Sequence, residues 1–154
     1  MIVRILETKY QFEETLKLLN EFDMEFSPHL SSYVDIKKYA EKLSRYANFL
    51  IAEEHGRVIG HLAFYKNQNA MELYVTSLCV FNAYRGKGVG KQLLDYLRNI
   101  GLSEGYTNIS LEMRKDNKNA LGFYKKMRFE ISQTRSETIL MNRRISVCTD
   151  SEKI

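Results

Sequence analysis

Little in this chain cross-links, anchors or interrupts it. Only two cysteines, Cys79 and Cys148, occur in 154 residues, which excludes a disulfide framework and a thiolate metal cluster and fits a reducing compartment. The three histidines, His29, His55 and His61, stand apart at no metal-ligand spacing, so no metal is expected. Apolar runs stay well short of the roughly eighteen residues a membrane helix needs, and Arg4, Glu7 and Lys9 interrupt any signal-peptide core. A cytoplasmic protein without a membrane partner is therefore expected. Runs of Lys and Arg are also missing and the net charge is only +4, so nucleic acid is not an expected partner, although the charge would help collect an anionic cofactor. No internal repeat or low-complexity segment is visible, and Pro28 is the single proline.

What remains is ordinary globular material, 44% hydrophobic and 27% charged, with length for one domain and a sizeable core. Ile2–Leu6 reads as an opening or edge strand. Phe12, Leu16, Leu18, Leu19 and Phe22 keep helical spacing between Tyr10 and Phe22. Ser27-Pro28 breaks that pattern, because proline lacks an N–H and biases its neighbour away from helix. A second helix is expected over about Val34–Arg45. Asn48–Ala52 and Val58–Tyr65 are strand-like, joined by a tight turn in which His55 precedes Gly56.

The chain is organised around Glu72–Gly101. Leu73–Phe81 alternates like a half-buried strand. Val89, Leu93, Leu94, Leu97 and Ile100 then line a helical face, with Gly101 where the helix is expected to stop. Between them lies Arg85-Gly86-Lys87-Gly88-Val89-Gly90, whose glycines permit close approach to a bulky group at a helix N-terminus. A P-loop reading is weakened because Gln92, not Ser or Thr, follows Lys91, which leaves a nucleotide-phosphate binder without a magnesium ligand as a third reading. A dinucleotide fingerprint is weakened because Lys91 occupies the sixth position of GxGxxG. Thr107–Met113 alternates like a strand, Asn119–Met127 has helical spacing, and Phe129–Ser132 with Glu137–Met141 form a closing strand pair. This order predicts an α/β fold with a mixed sheet, in which the strands flanking the central helix are parallel neighbours. A single domain over residues 1–142 and a loose tail over 143–154 are expected.

Strand, Arg-x-x-Gly-x-Gly and helix resemble the acyl-CoA diphosphate loop of the GNAT (Gcn5-related N-acetyltransferase) superfamily at Arg85, Gly88 and Gly90. A second stretch is similar to that family at Leu111-Glu112, Asn117, Ala120, Phe123-Tyr124 and Phe129, with Arg128 where the family has Gly. The resemblance implies a mixed sheet flanked by helices with a splayed strand pair, and an acetyl-CoA-dependent N-acetyltransferase that acts without metal. It implies that Leu78, Cys79 and Val80 receive the pantetheine arm, that Arg85, Gly86, Lys87, Gly88, Val89, Gly90 and Lys91 bind the diphosphate, and that Asn117 and Tyr124 meet the cofactor. Tyr124 would be the acid, and Glu112 or Glu72 the base, with Tyr74 a further candidate through water. The acceptor would be a primary amine of a small molecule or peptide, bound beside the early helix pair, where Glu21, Asp23, Glu25 and Asp35 could attract a cation. Aromatics near the closing strands would suit a homodimer. A non-catalytic acyl-CoA sensor on the same fold is the alternative.

Overall fold

The computed structural model describes residues 2–145. Its elements in chain order are β1 (Arg4–Thr8), α1 (Phe12–Phe22), α2 (Ile36–Tyr46), β2 (Asn48–Glu54), β3 (Arg57–Asn67), β4 (Glu72–Val80), α3 (Val89–Glu104), β5 (Asn108–Arg114), α4 (Lys118–Lys126), β6 (Glu130–Thr134) and β7 (Thr138–Arg144). The strands form one mixed sheet ordered β1-β2-β3-β4-β5-β7-β6. The chain divides into two compact units, one comprising residues up to Tyr65 with Ser77–Leu94, the other Lys66–Thr76 with the residues from Asp95 onward.

In the first unit, β1, β2 and β3 form an antiparallel meander. Its β2–β3 turn puts His55 and Gly56 at φ +52° and +74°, the two left-handed positions of a hairpin turn that follows the right-handed strand twist. Asp35 Oδ1 accepts from Lys38 N–H at 3.2 Å and caps α2. Leu18, Leu19 and Phe22 of α1 and Ala40 and Leu43 of α2 are buried in one cluster with Phe49, Ile51, Ala63 and Cys79. The 3-10 turns Asp23–Glu25 and Leu30–Ser32 occupy the stretch around the cis peptide Ser27–Pro28.

In the second unit, β4 and β5 are parallel, with a ladder running from Glu72↔Asn108 to Val75↔Leu111 and ending short of the carboxyl end of β5. Leu73, Val75, Ile109, Leu111, Met113, Ile139 and Met141 are buried on one face. By strand alternation Glu72, Tyr74, Ser110, Glu112 and Asn142 share the other. Two expectations are corrected here. The central helix runs through Gly101, where a Cβ would come within 2.5 Å of Ile145 Cδ1 and 3.1 Å of Leu73 Cδ1, so the glycine marks a close approach of these side chains to the helix; Gly105, at φ +84°, follows the helix instead. Arg143 and Arg144 belong to β7, in register with Ile109 and Asn108, rather than to a tail. Cys148 and the rest of the expected tail lie outside the described residues. Arg128 does take the left-handed conformation usually given to glycine, at φ +70°. Arg128 N–H donates to Lys125 O and Phe129 N–H to Tyr124 O, which closes α4 with a Schellman motif.

Candidate active site

The loop that follows β4 is shaped for an anion. Phe81 N–H donates to Ile59 O at 2.9 Å, and a 3-10 turn over Asn82–Tyr84 carries the chain away from the strand. Gly86 and Gly88 then adopt φ of +75° and +84°, and a Cβ on either would meet nothing within 4 Å. This open, left-handed backbone leads into α3 at Val89, whose first N–H groups have no partner within the helix. Main-chain donors at the positive end of the helix dipole, with Lys87 and Lys91 exposed beside them, fit the diphosphate of coenzyme A. Lys87 Nζ also sits 5.7 Å from the Tyr84 ring centroid, a cation–π contact that steadies the loop.

Arg85 also makes contacts within the protein. Its Nε donates to Val80 O at 2.9 Å and its Nη2 to Glu25 O at 2.5 Å, while Glu25 Oε1 lies 3.9 Å from Nη2 and accepts from Asn82 N–H. Glu25 and Arg85 also line a cavity of about 480 Å³ with Met24, Phe26, Pro28 and His29. Leu78, Cys79 and Val80 lie on the last turn of the strand alternation, with Cys79 buried. Burial pushes the Cys79 thiol up to about 12 even though Arg85 works in the opposite direction, so the sulfur stays protonated and is no nucleophile. His61 has a partner the sequence did not reveal. Its Nε2 shares a 2.8 Å hydrogen bond with Ser77 Oγ, and its ring stands edge-on to Phe22 at 4.6 Å.

The second unit carries the remaining candidates. Glu112 is near the carboxyl end of β5, and its Oε2 accepts from Thr138 Oγ1 at 2.6 Å and from Arg135 Nη1 at 3.3 Å. Tyr74 is in register with Ser110, two residues before Glu112, so Tyr74 and Glu112 share a sheet face at a diagonal that long side chains can span. Glu72 begins β4 in register with Asn108, four residues before Glu112 on β5, or about 13 Å along the strand. By register Glu112 is thus two positions from the partner of Tyr74 and four from the partner of Glu72. Asn117 Oδ1 caps α4, accepting from Ala120 N–H at 3.1 Å. Tyr124 lies on α4 between the Phe123 and Phe129 rings, at 5.3 and 5.6 Å, both edge-on.

Sequence reasoning missed the engagement of Glu25, Arg135 and Thr138, which are 57, 23 and 26 residues from the partners they meet. No local pattern signals such pairs. Among the described residues no cluster of His, Cys, Asp or Glu could hold a metal ion, and no helix is long and apolar enough to cross a membrane.

Comparison with known proteins identifies the family and the fold. Residues 12–129 match the family described as the acetyltransferase (GNAT) family. N-alpha-acetyltransferase 50 of Danio rerio is 31% identical over 123 residues, covering 78% of this chain and 70% of its own length. The PaiA N-acetyltransferase of Thermoplasma acidophilum, solved in complex with coenzyme A, superposes with a TM-score of 0.76 at 20% identity, covering 94% of this chain and 99% of that one. The ribosomal-protein-S18-alanine N-acetyltransferase of Escherichia coli gives 0.74 at 16% identity, covering 93% and 95%. A parallel β4–β5 pair, a glycine-bearing loop at the head of α3 and this extent of sequence match together establish that the chain belongs to the GNAT family of acetyltransferases.

Proposed function

We propose that the protein transfers the acetyl group of acetyl-CoA to the α-amino group of a polypeptide N-terminus. The observation that carries the donor is the exposed Arg85–Gly88 loop at the head of α3, with Gly86 and Gly88 at positive φ. The acceptor class is supported by the name of the zebrafish relative, an N-alpha-acetyltransferase, and by the fold-level neighbour that acts on a ribosomal-protein alanine. The cavity of about 480 Å³ has room for the leading side chain of a peptide.

When bound, acetyl-CoA supplies an activated thioester; the chain's residues do the rest. Main-chain N–H groups from Gly86 to Lys91 hold the diphosphate, and Val80 N–H stabilises negative charge on the thioester oxygen. Cys79 stays a protonated core thiol, so the acetyl group passes directly to the amine. Glu112, on the sheet face it shares with Tyr74, draws the proton from the incoming ammonium, directly or through water. Its site near the carboxyl end of β5 favours it over Glu72, which starts its strand, since ligands of such sheets bind at strand carboxyl ends. Tyr124 then donates its phenolic proton to the departing sulfur and regains one from the nitrogen as the amide forms; a phenol, with an ordinary pKa of about 10, is protonated at neutral pH.

Thiol release from acetyl-CoA with a panel of free-N-terminal peptides, their N-acetylated counterparts and small polyamines tests this reading. Release with free N-termini alone is expected. Release only with polyamines would overturn the acceptor class, and CoA binding without release would identify the non-catalytic sensor.

A further inference from the structure

Glu25 carries no motif, yet it lines the cavity together with Arg85 and grips the entry to the diphosphate loop. Its side-chain oxygen accepts from Asn82 N–H, and its main-chain carbonyl accepts from Arg85 Nη2 at 2.5 Å. Arg85 Nε holds Val80 O at 2.9 Å, so a single guanidinium ties the end of β4 to the 3-10 turn Asp23–Glu25. That turn is braced in its own right, because Asp23 Oδ1 accepts from Ser31 N–H at 2.6 Å. The Glu25 side chain is only 22% exposed, against 46% for Arg85, which makes Glu25 the fixed half of the pair. The glycines that shape the anion cradle begin at the next residue, Gly86.

We propose that Glu25 is a positioning residue that couples the cavity-lining segment, residues 23–32, to the diphosphate loop. By holding Asn82 and Arg85 it presets the direction in which the chain enters Gly86–Lys91, so that the loop amides converge before any ligand arrives. Linkage then works in reverse as well: a diphosphate held by those amides favours the conformation in which Glu25 stays docked, and so orders the cavity wall. Arg85 serves this coupling through Val80 and Glu25. The inference rests on the reading of the loop as a coenzyme A site.

The test needs coenzyme A but no acceptor. Calorimetric titration of CoA into the full-length wild type, Glu25→Ala and Glu25→Gln is combined with amide hydrogen exchange over residues 23–32 and at Asn82. Glu25→Ala should bind CoA about tenfold or more weakly, the scale of a lost charge-assisted hydrogen bond. Glu25→Gln, which keeps an oxygen for Asn82 N–H, should recover most of that loss. In the wild type, CoA should slow exchange at Ser31 and Asn82, an effect absent from Glu25→Ala; the wild-type measurement stands even if the alanine variant does not fold. Wild-type CoA affinity in Glu25→Ala, or exchange over 23–32 indifferent to CoA, overturns the coupling alone. Failure of the wild type to bind CoA overturns both the coupling and the cofactor reading.

Discussion

Replacing His61 by glutamine should remove a large part of the protein's sensitivity to acid. His61 is fully buried on β3, packed edge-on against Phe22, and among the described residues its Nδ1 has no hydrogen-bond partner. Burial alone lowers its pKa from 6.5 to about 3, because a charged imidazolium in that apolar setting would be poorly solvated. Between those values the unfolded chain binds a proton that the folded chain refuses, so stability rises with pH and is lost as pH falls from the unfolded pKa toward the folded one. Linkage at about 1.4 kcal/mol per unit gives a loss of about 2 kcal/mol between about pH 7 and pH 5 from this one residue. That figure barely depends on the folded value, since any folded pKa below about 4 leaves His61 neutral at pH 5. Urea unfolding of wild type and His61→Gln at both pH values measures it. The wild type should lose about 2 kcal/mol more than the variant on acidification, with unchanged m-values. Equal losses in the two proteins would refute the reasoning and mean that His61 is protonated in the fold without penalty.

Three other outcomes follow from the same geometry. Tyr124→Phe should lower turnover by roughly 10²-fold or more while leaving CoA affinity nearly unchanged, the signature of a lost proton donor; unchanged turnover in steady-state assays would remove its acid role. Gly88→Asp should abolish CoA binding in a calorimetric titration, since it forces a side chain to φ +84° and sets a carboxylate at the anion cradle; retained binding would mean the diphosphate sits elsewhere. Arg128→Gly should stabilise the protein by about 0.5–1 kcal/mol in urea melts, by relieving the left-handed strain at the end of α4; a loss of stability would show that the arginine side chain contributes more than its backbone costs.

The glycine-bearing loop was legible because a left-handed turn beside a helix start needs glycine, and Gly86 and Gly88 supply it within a few letters. Tyr124 and Glu112 were singled out only through resemblance to a family, since a tyrosine on an amphipathic helix and a glutamate on a strand are unremarkable in isolation. The internal contacts of Arg85 were not legible, since its place beside the glycines points to phosphate and only the fold brings its Nε to the Val80 carbonyl and its Nη2 to the Glu25 carbonyl. Gly101 misled, because a glycine late in a helical pattern can mark an end or a close approach, and only the position of Ile145 distinguishes the two.

Periodicity and turn chemistry act over a few residues, so the sequence by itself determined the order of the elements, the parallel β4–β5 pair across α3 and the place of the glycine-bearing loop at the head of α3. The tertiary structure alone decided which side chains meet: Glu25 with Asn82 and Arg85, His61 with Ser77, and Glu112 with Thr138 and Arg135. Those pairings join residues 16 to 60 positions apart, and they exist because strand register and loop closure bring the partners within hydrogen-bond reach.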